Sequence, residues 1–309
     1  MKILFVSSGN SVAGINPLAL NQANSLIREG IEVEHYGIRG KGWGGYAQNI
    51  FPLRKKIKQG SFNLIHAHYA LSGFAATLTF YSPLVVSLMG SDIEISESAN
   101  RLIRFCSRNI WKATIVKSER MKEKIGLPNA YVIPNGVDLD LMQPQNRSFA
   151  RHKVGFNPDK KHVLFLADPA RYEKNYPLAL AALNALNDPL VEMHTVYDVR
   201  HGQVPFYLSA ADCLLSTSIR EGSSNVIKEA LACNCPVVAT DVGDARKVAG
   251  DIPGCTVTSF DPLTIAAGIK NALTIREHFS GRDKLKEKKL DVSSVARRII
   301  DVYNSILAS

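Results

Sequence analysis

The chain has 309 residues, of which 46% are apolar and 21% are charged, and its formal net charge is +9. This length suits two domains that each bury a core, and the composition excludes a disordered or fibrous chain. The positive charge favours an anionic partner: nucleic acid, an anionic membrane or a phosphate-bearing substrate. Because no nucleic-acid motif accompanies it and the aromatic residues are not interleaved with the basic ones, we expect no nucleic-acid partner.

Cysteines and apolar runs bear on the compartment. The five cysteines lie mostly in apolar runs, which indicates small buried side chains in a reducing compartment. The N-terminal apolar run is too short for a signal peptide and predicts a strand. Residues 64–90 are uncharged and long enough to span a bilayer, but Gly73 and Pro83 help to divide them into strand, helix and strand. We therefore expect a cytoplasmic protein.

The first half of the chain predicts alternating strands and helices. Residues 3–6 predict a strand followed by a glycine-containing turn, and an amphipathic helix then ends at Gly30. Residues 31–36 predict the next strand. Residues 40–46 predict a flexible aromatic and basic loop, which either covers an acceptor or only connects elements. A turn between the first strand and helix is an ordinary place for an anion, although no GxGxxG or Walker sequence occurs.

Polar side chains end the next two predicted strands. The strand in residues 62–68 ends with His66 and His68, and the segment 84–92 ends with Asp92. Ligands of open α/β sheets bind beyond the carboxyl ends of the strands, so we expect these three side chains at a ligand site. A single histidine there is more often structural, and it is their number that points to a site.

Basic residues then recur at helical spacing. Arg101, Arg104 and Arg108 share one face of a predicted helix, and its other face is apolar. Such a helix can dock on anionic lipid, and a solvated face over a core explains the pattern equally well. Peripheral contact with the inner face of a membrane is therefore a hypothesis that binding to anionic liposomes tests.

A polar segment with two prolines, residues 143–161, predicts the boundary between two domains. The strand predicted at residues 162–167 leads to Arg171 and Lys174, which precede a helix that Asn175 can cap. Cations at the N-terminal end of a helix are unfavourable unless an anion is present. This placement suggests a phosphate site.

The most informative stretch runs from residue 211 to residue 244. Residues 213–216 and 236–240 predict two buried parallel strands joined by a loop and a helix. Glu221 lies in the loop and Glu229 lies inside the helix. Between them, Gly222 permits close approach of backbone, and the helix start, which Ser224 or Asn225 can cap, offers amides to an anion. Those amides belong to Ser223, Ser224, Asn225 and Val226.

The order of acceptor, anion cradle and acceptor matches the hydroxyls, diphosphate and ribose of a sugar nucleotide. With its flanks, the stretch from Glu221 to Glu229 resembles the E-x7-E signature of retaining GT-B glycosyltransferases of family 4. Residues 131–138, Tyr-Val-Ile-Pro-Asn-Gly-Val-Asp, resemble a second segment of that family. The resemblance implies an α/β fold of two Rossmann-like domains with parallel sheets that face a central cleft.

The resemblance also implies a domain plan. Residues 1–143 form an acceptor-side domain, residues 144–292 form a nucleotide-sugar-binding domain, and residues 293–309 form a helix that returns to the first domain. The implied reaction moves a sugar, with retention and without a metal or other cofactor, from a nucleoside-diphosphate sugar to a glycan or lipid-linked acceptor. The implied pathway is polysaccharide or lipopolysaccharide biosynthesis.

Site roles follow from the same resemblance. Glu221 holds hydroxyls of the transferred sugar, Glu229 holds the ribose, and Arg171, Lys174 and the amides after Gly222 hold the diphosphate. The loop centred on Gly14 faces that diphosphate. Where family members often carry a histidine this chain has Met89, so we assign a polar contact near the reaction centre to His68.

Two features leave alternatives open. The strand at residues 191–197 lacks the Gly-x-Gly that commonly follows it in the family, so the nucleobase is unassigned. Asp138 and Asp140 form a D-x-D pair, but the pair follows a Pro-Asn-Gly turn and begins at the end of the matched segment 131–138, so we predict no metal there. The alternative functions are an epimerase or phosphorylase on the same architecture, and a sensor that binds sugar nucleotides without transfer, which the absence of the histidine at Met89 favours.

Overall fold

The computed structural model of the chain describes residues 1–11, 14–94, 96–276 and 279–308. These residues form two compact units, Met1–Asn135 together with Val292–Ser309, and Gly136–Asp291. Within the described ranges, each unit is built on one parallel β-sheet with helices beside it.

The sheet of the first unit follows the strands that the sequence predicts. Its described strands are β1 (Lys2–Ser8), β2 (Glu32–Ile38), β3 (Leu64–His68), β4 (Leu84–Ser87), β5 (Ala113–Val116) and β6 (Tyr131–Val132). They are parallel and lie in the order β2-β1-β3-β4-β5-β6. β3 and β4 are buried along their whole length, as expected for strands covered on both faces. The uncharged run at 64–90 is therefore strand, helix and strand, as predicted.

Helices connect these strands. They are α1 (Pro17–Arg28), α2 (Gly42–Ala47), α3 (Ile50–Gln59), α4 (Ala70–Thr77), α5 (Glu97–Asn109) and α6 (Glu119–Ile125). α1 begins where the Asn16 side chain accepts hydrogen bonds from the amides of Leu18 and Ala19, and Pro17 fits its first turn. The prediction of a loop at residues 40–46 is wrong in part, because α2 occupies most of this segment.

The second unit repeats the plan. Its described strands are β7 (Lys161–Phe165), β8 (Val191–Thr195), β9 (Cys213–Ser216), β10 (Val237–Thr240) and β11 (Thr256–Thr258), in the parallel order β11-β10-β9-β7-β8. Its described helices are α7 (Arg147–Val154), α8 (Tyr176–Leu186), α9 (Val204–Ala210), α10 (Asn225–Ala232), α11 (Ala245–Ala249), α12 (Pro262–Ile275) and α13 (Gly281–Glu287).

The last helix, α14 (Val292–Leu307), belongs to the first unit. Its apolar face, which includes Val295, Ile299 and Tyr303, packs in one cluster with Ile3 and Phe5 of β1. This face repeats at helical spacing in the sequence, so its burial was predictable. The helix returns to the first unit as the resemblance implied.

The observed unit boundary differs from the predicted one at residue 143. Residues 136–143 lie in the second unit. The Arg282 guanidinium donates hydrogen bonds to the carbonyls of Leu139 and Met142, and the Val137 amide donates to the Leu290 carbonyl. The polar segment that predicted the boundary contains α7, whose start is capped by Asn146. The crossing therefore precedes the polar segment.

Both sheets contain a topological switch point, where neighbouring strands send their connections to opposite faces. In the first unit it lies between β1 and β3, and in the second it lies between β7 and β9. Open parallel sheets bind ligands beyond the carboxyl ends of the strands at such points. The residues that follow β1, β3, β7 and β9 are therefore where a site is expected.

Candidate functional site

Polar residues that follow β7 and β9 meet at the switch point of the second unit. Lys174 Nζ donates a hydrogen bond to Glu221 Oε1 across 2.6 Å, and Ser218 Oγ donates to the same oxygen across 3.0 Å. Thr217 Oγ1 donates to the Lys174 carbonyl across 3.0 Å, which joins the two loops. The side chains of Lys174 and Glu221 are 15% and 18% exposed. A ligand can therefore reach both the Lys174 ammonium and the Glu221 carboxylate.

A small cavity lies beside this ion pair. Its lining includes Lys174, Ser218 and Val226, together with apolar side chains from β7 and β9. Val226 belongs to the first turn of α10. The cavity thus joins the lysine to the helix start that the sequence predicts as an anion site.

The loop between Glu221 and α10 is held by a buried ionic network. Asp244 Oδ2 accepts a hydrogen bond from Ser223 Oγ across 2.5 Å, and Asp244 Oδ1 accepts one from the Ser224 amide across 3.1 Å. Lys228 Nζ donates to Ser223 Oγ and lies 3.5 Å from Asp244 Oδ2. Lys228 is fully buried. A buried pair of this kind fixes the loop geometry, because each partner left alone is costly.

This network bears on two predictions for Ser224. The Ser224 amide, predicted as part of the anion cradle, already donates to Asp244. Ser224 occupies the N-cap position of α10 but makes no side-chain cap hydrogen bond, and its Oγ is buried without a partner among the described residues. The Ser223 side chain is bonded to Asp244 as well. The predicted Ser224 cap is therefore wrong, whereas the anion cradle stays a prediction in which the Ser224 amide is already bonded to Asp244.

A close approach of backbone shapes the same loop. Gly243 has φ of +57°, and a Cβ there would lie 2.8 Å from the Glu221 carbonyl oxygen. An L side chain at this position would displace the loop that carries Glu221. The glycine before Asp244 is therefore needed for the position of the carboxylate.

Glu229 lies inside α10, as predicted, and has a neighbour that the sequence analysis did not assign. Its Oε1 lies 2.9 Å from His201 Nε2, and the Glu229 side chain is 13% exposed. The hydrogen bond to Glu229 raises the pKa of His201. A ribose that bound Glu229 would compete with this imidazole for the carboxylate.

Arg171 and Asn175 lie where the sequence placed them but make different contacts. The Arg171 guanidinium pairs with Glu173, two residues on, and its side chain is 55% exposed. Asn175 adopts a left-handed conformation, with φ of +51°, and makes no side-chain cap hydrogen bond to α8, so the predicted cap is wrong. Of the two predicted cations, Lys174 rather than Arg171 contacts the Glu221 loop.

In the first unit, the turn after β1 holds Gly14. Gly14 has φ of +70°, and a Cβ on Gly37 would lie 2.3 Å from the Gly14 carbonyl oxygen. The end of β2 therefore closes tightly on this turn, and only glycine fits at Gly37. The proposed contact of the turn with a diphosphate stays a prediction.

The two histidines of β3 differ in their partners. His66 Nδ1 lies 2.5 Å from Tyr303 Oη, and its Nε2 lies 2.8 Å from Ser87 Oγ. His68 stacks on His66 at 4.4 Å between ring centroids, and both its ring nitrogens are buried without a partner among the described residues. Burial lowers the pKa of both rings well below the usual value, so both are neutral. His66 ties α14 to the sheet, whereas His68 keeps its hydrogen-bonding capacity unused.

Asp92, which the sequence places at a ligand site, makes structural hydrogen bonds. The fully buried carboxylate accepts hydrogen bonds from the amides of Met89, Gly90 and Ala70. Burial raises its pKa despite those donors. Asp92 thus fastens the loop after β4, including the position where the family often has a histidine, to the start of α4.

Sequence reasoning missed Lys228, Asp244 and His201. Lys228 follows Ile227 and precedes the apolar run 230–232, and all of these are buried. A lysine on the apolar face of a helix is a signal for a buried partner. Nothing comparable marks His201, because its contact with Glu229 joins positions 28 residues apart.

Two family models match the chain. Residues 18–141 match Glycosyltransferase Family 4, and residues 161–274 match Glycosyl transferases group 1. The chain is 28% identical to a putative teichuronic acid biosynthesis glycosyltransferase, TuaC, of Bacillus subtilis, over 63% of this chain and 58% of that relative. The matched region thus spans less than two thirds of the length of that relative.

Solved structures show the same architecture. The fold superposes on a sucrose-phosphate synthase from Thermosynechococcus elongatus with a TM-score of 0.85, at 15% identity and over 100% and 99% of the two chains. It superposes on HepE of Anabaena, crystallised with UDP and glucose, with a TM-score of 0.78, at 19% identity and over 99% and 100%. The chain therefore has the GT-B fold.

Together the two family models cover most of the chain, and the fold agrees with them. The chain belongs to glycosyltransferase family 4. Among the helices in the described ranges, none is long and apolar enough to cross a bilayer.

Proposed function

We propose that this protein is a retaining, metal-independent glycosyltransferase that uses a nucleoside-diphosphate sugar. The observation that carries the proposal is the contact between Lys174 and Glu221 at the switch point of the second unit. Membership of family 4 and the likeness to HepE, which was crystallised with UDP and glucose, support a nucleotide-sugar donor. The name of the Bacillus subtilis relative supports an acceptor in polysaccharide biosynthesis, either a glycan or a lipid-linked sugar.

In this proposal the Lys174 ammonium moves from Glu221 to the donor diphosphate when the donor binds. Glu221 is then available to accept hydrogen bonds from hydroxyls of the transferred sugar. The side chain of Arg171 is more than half exposed beside this loop and adds a second cation once it leaves Glu173. Glu229 holds the ribose after exchanging His201 for a sugar hydroxyl.

In the proposed reaction, stabilising the negative charge of the leaving diphosphate matters more than a protein nucleophile. The bond between the anomeric carbon and the diphosphate breaks, the acceptor oxygen bonds to that carbon on the same face, and a phosphate oxygen takes the acceptor proton. Charge accumulates on the leaving diphosphate, which is stabilised by the amides near Val226 and by Lys174 once Lys174 has left Glu221. One such hydrogen-bond donor lowers the barrier by about 3 kcal/mol.

Testing begins with the donor. A panel of sugar nucleotides is screened by thermal shift, because a ligand that binds the native state raises the melting temperature. The donor so found is supplied in labelled form, and transfer and donor hydrolysis are measured for the wild type, Lys174→Ala and Glu221→Ala. We expect each variant to lose about 100- to 1,000-fold in rate and to keep its melting temperature.

Lys284 and Glu287 supply a matched control. They form an exposed ion pair of 2.8 Å on α13 of the same unit. Lys284→Ala and Glu287→Ala should leave the rate unchanged. Wild-type rates in Lys174→Ala and Glu221→Ala would reject the assignment, epimerised donor would indicate an epimerase, and binding without turnover would indicate a sensor.

Peripheral membrane contact is a second part of the proposal. On α5, Leu102 and Phe105 are 40% and 57% exposed beside the basic residues Arg101 and Arg108. A basic face with exposed apolar side chains suits the surface of an anionic membrane. Co-sedimentation with anionic liposomes at low salt, lost in Phe105→Ser, supports it; equal recovery with neutral liposomes rejects it.

A further inference from the structure

Three side chains that can bind a metal lie on one face of the sheet of the second unit. In the parallel register of β7 and β8, His162 pairs with Glu192, and His194 lies two residues beyond Glu192. Side chains alternate between the faces of a strand, so these three residues point to the same face. Their ligand atoms lie close enough together to hold one cation.

The geometry of the three ligand atoms is that of a zinc site. His162 Nδ1 lies 2.9 Å from His194 Nε2, and each of these nitrogens lies 3.9 Å from Glu192 Oε2. The point equidistant from the three atoms is about 2.1 Å from each, and protein Zn–N and Zn–O bonds measure about 2.0–2.2 Å. Tetrahedral ligation at about 2.0–2.1 Å needs the two nitrogens about 3.3 Å apart, so the imidazoles separate by about 0.4 Å when the ion binds.

The outer contacts favour the ligand form of both imidazoles. His162 Nε2 lies 2.7 Å from the Asn157 carbonyl, to which it donates, so the Nδ1 lone pair points into the site. The Phe156 ring stacks on His194 with 3.7 Å between centroids. These contacts hold the two rings with His162 Nδ1 and His194 Nε2 facing Glu192.

Two nearby guanidinium groups oppose a cation, and their charge is partly compensated. Arg147 and Arg151 both pair with the fully buried Asp212, whose Oδ2 also accepts the His162 amide across 2.7 Å. The Glu192 carboxylate adds a further negative charge inside the site. A divalent ion therefore binds one anionic ligand, Glu192. The two arginines repel it less because both are paired with Asp212.

We propose that His162, His194 and Glu192 form a structural zinc site in the second unit. Two imidazoles and a carboxylate suit zinc, and exposure of Glu192 (42%) and His194 (26%) leaves a fourth position and an entry route to solvent. The site lies within the strands β7 and β8, whereas Lys174 and Glu221 follow the carboxyl ends of β7 and β9. Bound zinc ties β7 to β8 and takes no part in sugar transfer.

The test uses the full chain, free of any affinity tag and stripped with a chelator. Zinc chloride is titrated by calorimetry and by thermal shift, and cobalt(II) provides a visible spectrum that distinguishes tetrahedral from octahedral ligation. We expect one ion per chain, a higher melting temperature and a tetrahedral cobalt spectrum. In His194→Ala the Kd should rise at least about 100-fold, since loss of even an outer-shell partner costs about 10- to 100-fold.

Glu192→Gln provides a second variant at an exposed position, and it should weaken binding while the protein stays folded. His152→Ala, which removes an exposed histidine of α7 in the same unit, is the matched control and should bind like the wild type. Donor hydrolysis should be the same with and without chelator, which keeps this result separate from the proposed transferase activity. Equal zinc binding by wild type and His194→Ala, or no effect of zinc on the wild-type melting temperature, overturns the proposal.

Discussion

The switch points of the two sheets have the same topology but use their polar residues differently. In the second unit, Lys174 and Glu221 bond to each other and are partly exposed. In the first unit, His66 and Asp92 are fully buried and their hydrogen bonds hold secondary structure together. A polar residue at the end of a strand is therefore a candidate for function when it keeps either access to solvent or unused hydrogen-bonding capacity.

His68 lies between these cases. It is buried like His66, yet neither of its ring nitrogens has a partner in the described part of the chain. A buried polar atom without a partner costs about 1–3 kcal/mol, so its presence at the end of β3 calls for a reason. This contrast with His66 supports the prediction that His68 contacts a ligand.

The largest expected effect tests the buried ion pair of Lys228 and Asp244, which lies beside the loop that carries Glu221. Lys228→Met leaves the Asp244 carboxylate buried without its cation, which costs about 3–5 kcal/mol of unfolding free energy. Urea denaturation measures the loss. Lys247→Met, at an exposed position of α11, is the control and should stay within about 0.5 kcal/mol of the wild type. Similar small changes in both variants would show that the network does not hold the loop.

A smaller effect is expected at His68. His68→Leu removes two unsatisfied nitrogens, so the unfolding free energy should stay the same or rise, while transfer activity should fall about 10-fold or more. Denaturation and kcat/KM are measured on the same preparation. Unchanged activity with unchanged stability would place His68 with His66 as a packed ring.

Tyr303→Phe tests whether His66 has a purely structural role. The variant leaves His66 Nδ1 without its hydroxyl partner, and we expect the unfolding free energy to fall by about 1–2 kcal/mol. Donor-induced thermal shifts should be those of the wild type. The half-exposed Tyr131 offers the control Tyr131→Phe, which should change neither quantity; weaker donor binding in Tyr303→Phe alone would contradict a purely structural role.

The smallest effect depends on pH. Because Glu229 raises the pKa of His201 in the folded protein, protonated His201 stabilises the fold. That stabilisation is complete below the unfolded pKa, about 6.5, and is lost as the pH rises through the raised folded value. His201→Ala should therefore lower the melting temperature at about pH 6 and leave it unchanged at about pH 9, with less than about 1 kcal/mol involved. An equal change of the melting temperature at both pH values would mean that protonation of His201 does not stabilise the fold.

Local patterns were enough to predict most of the fold. The strands of both sheets, the division of residues 64–90 and the apolar face of α14 follow from periodicity and breakers. α2 was not predicted, because glycines dominate residues 40–46 and favour a loop by composition. The unit boundary was misplaced since it depends on the contacts of Arg282 with Leu139 and Met142, about 140 residues apart in sequence.

The sequence named the candidate site residues but not their hydrogen-bond partners. Glu221, Lys174 and Glu229 could be chosen from spacing and chemistry. The bonds of Ser224 to Asp244, of Arg171 to Glu173 and of His201 to Glu229 were not foreseen, because a side chain chooses among several neighbours only after the loops are placed. Which amides remain available to a ligand is therefore a tertiary property.

The bond between His66 and Tyr303 joins positions 237 residues apart. During synthesis on the ribosome, residues 1–135 emerge first, and the apolar face that α14 covers stays bare while the whole second unit is translated. Any chain that stops before Val292 keeps that face uncovered and is a natural target for chaperones and proteases. α14 thus covers an apolar face of a unit whose other residues all precede the second unit in the chain.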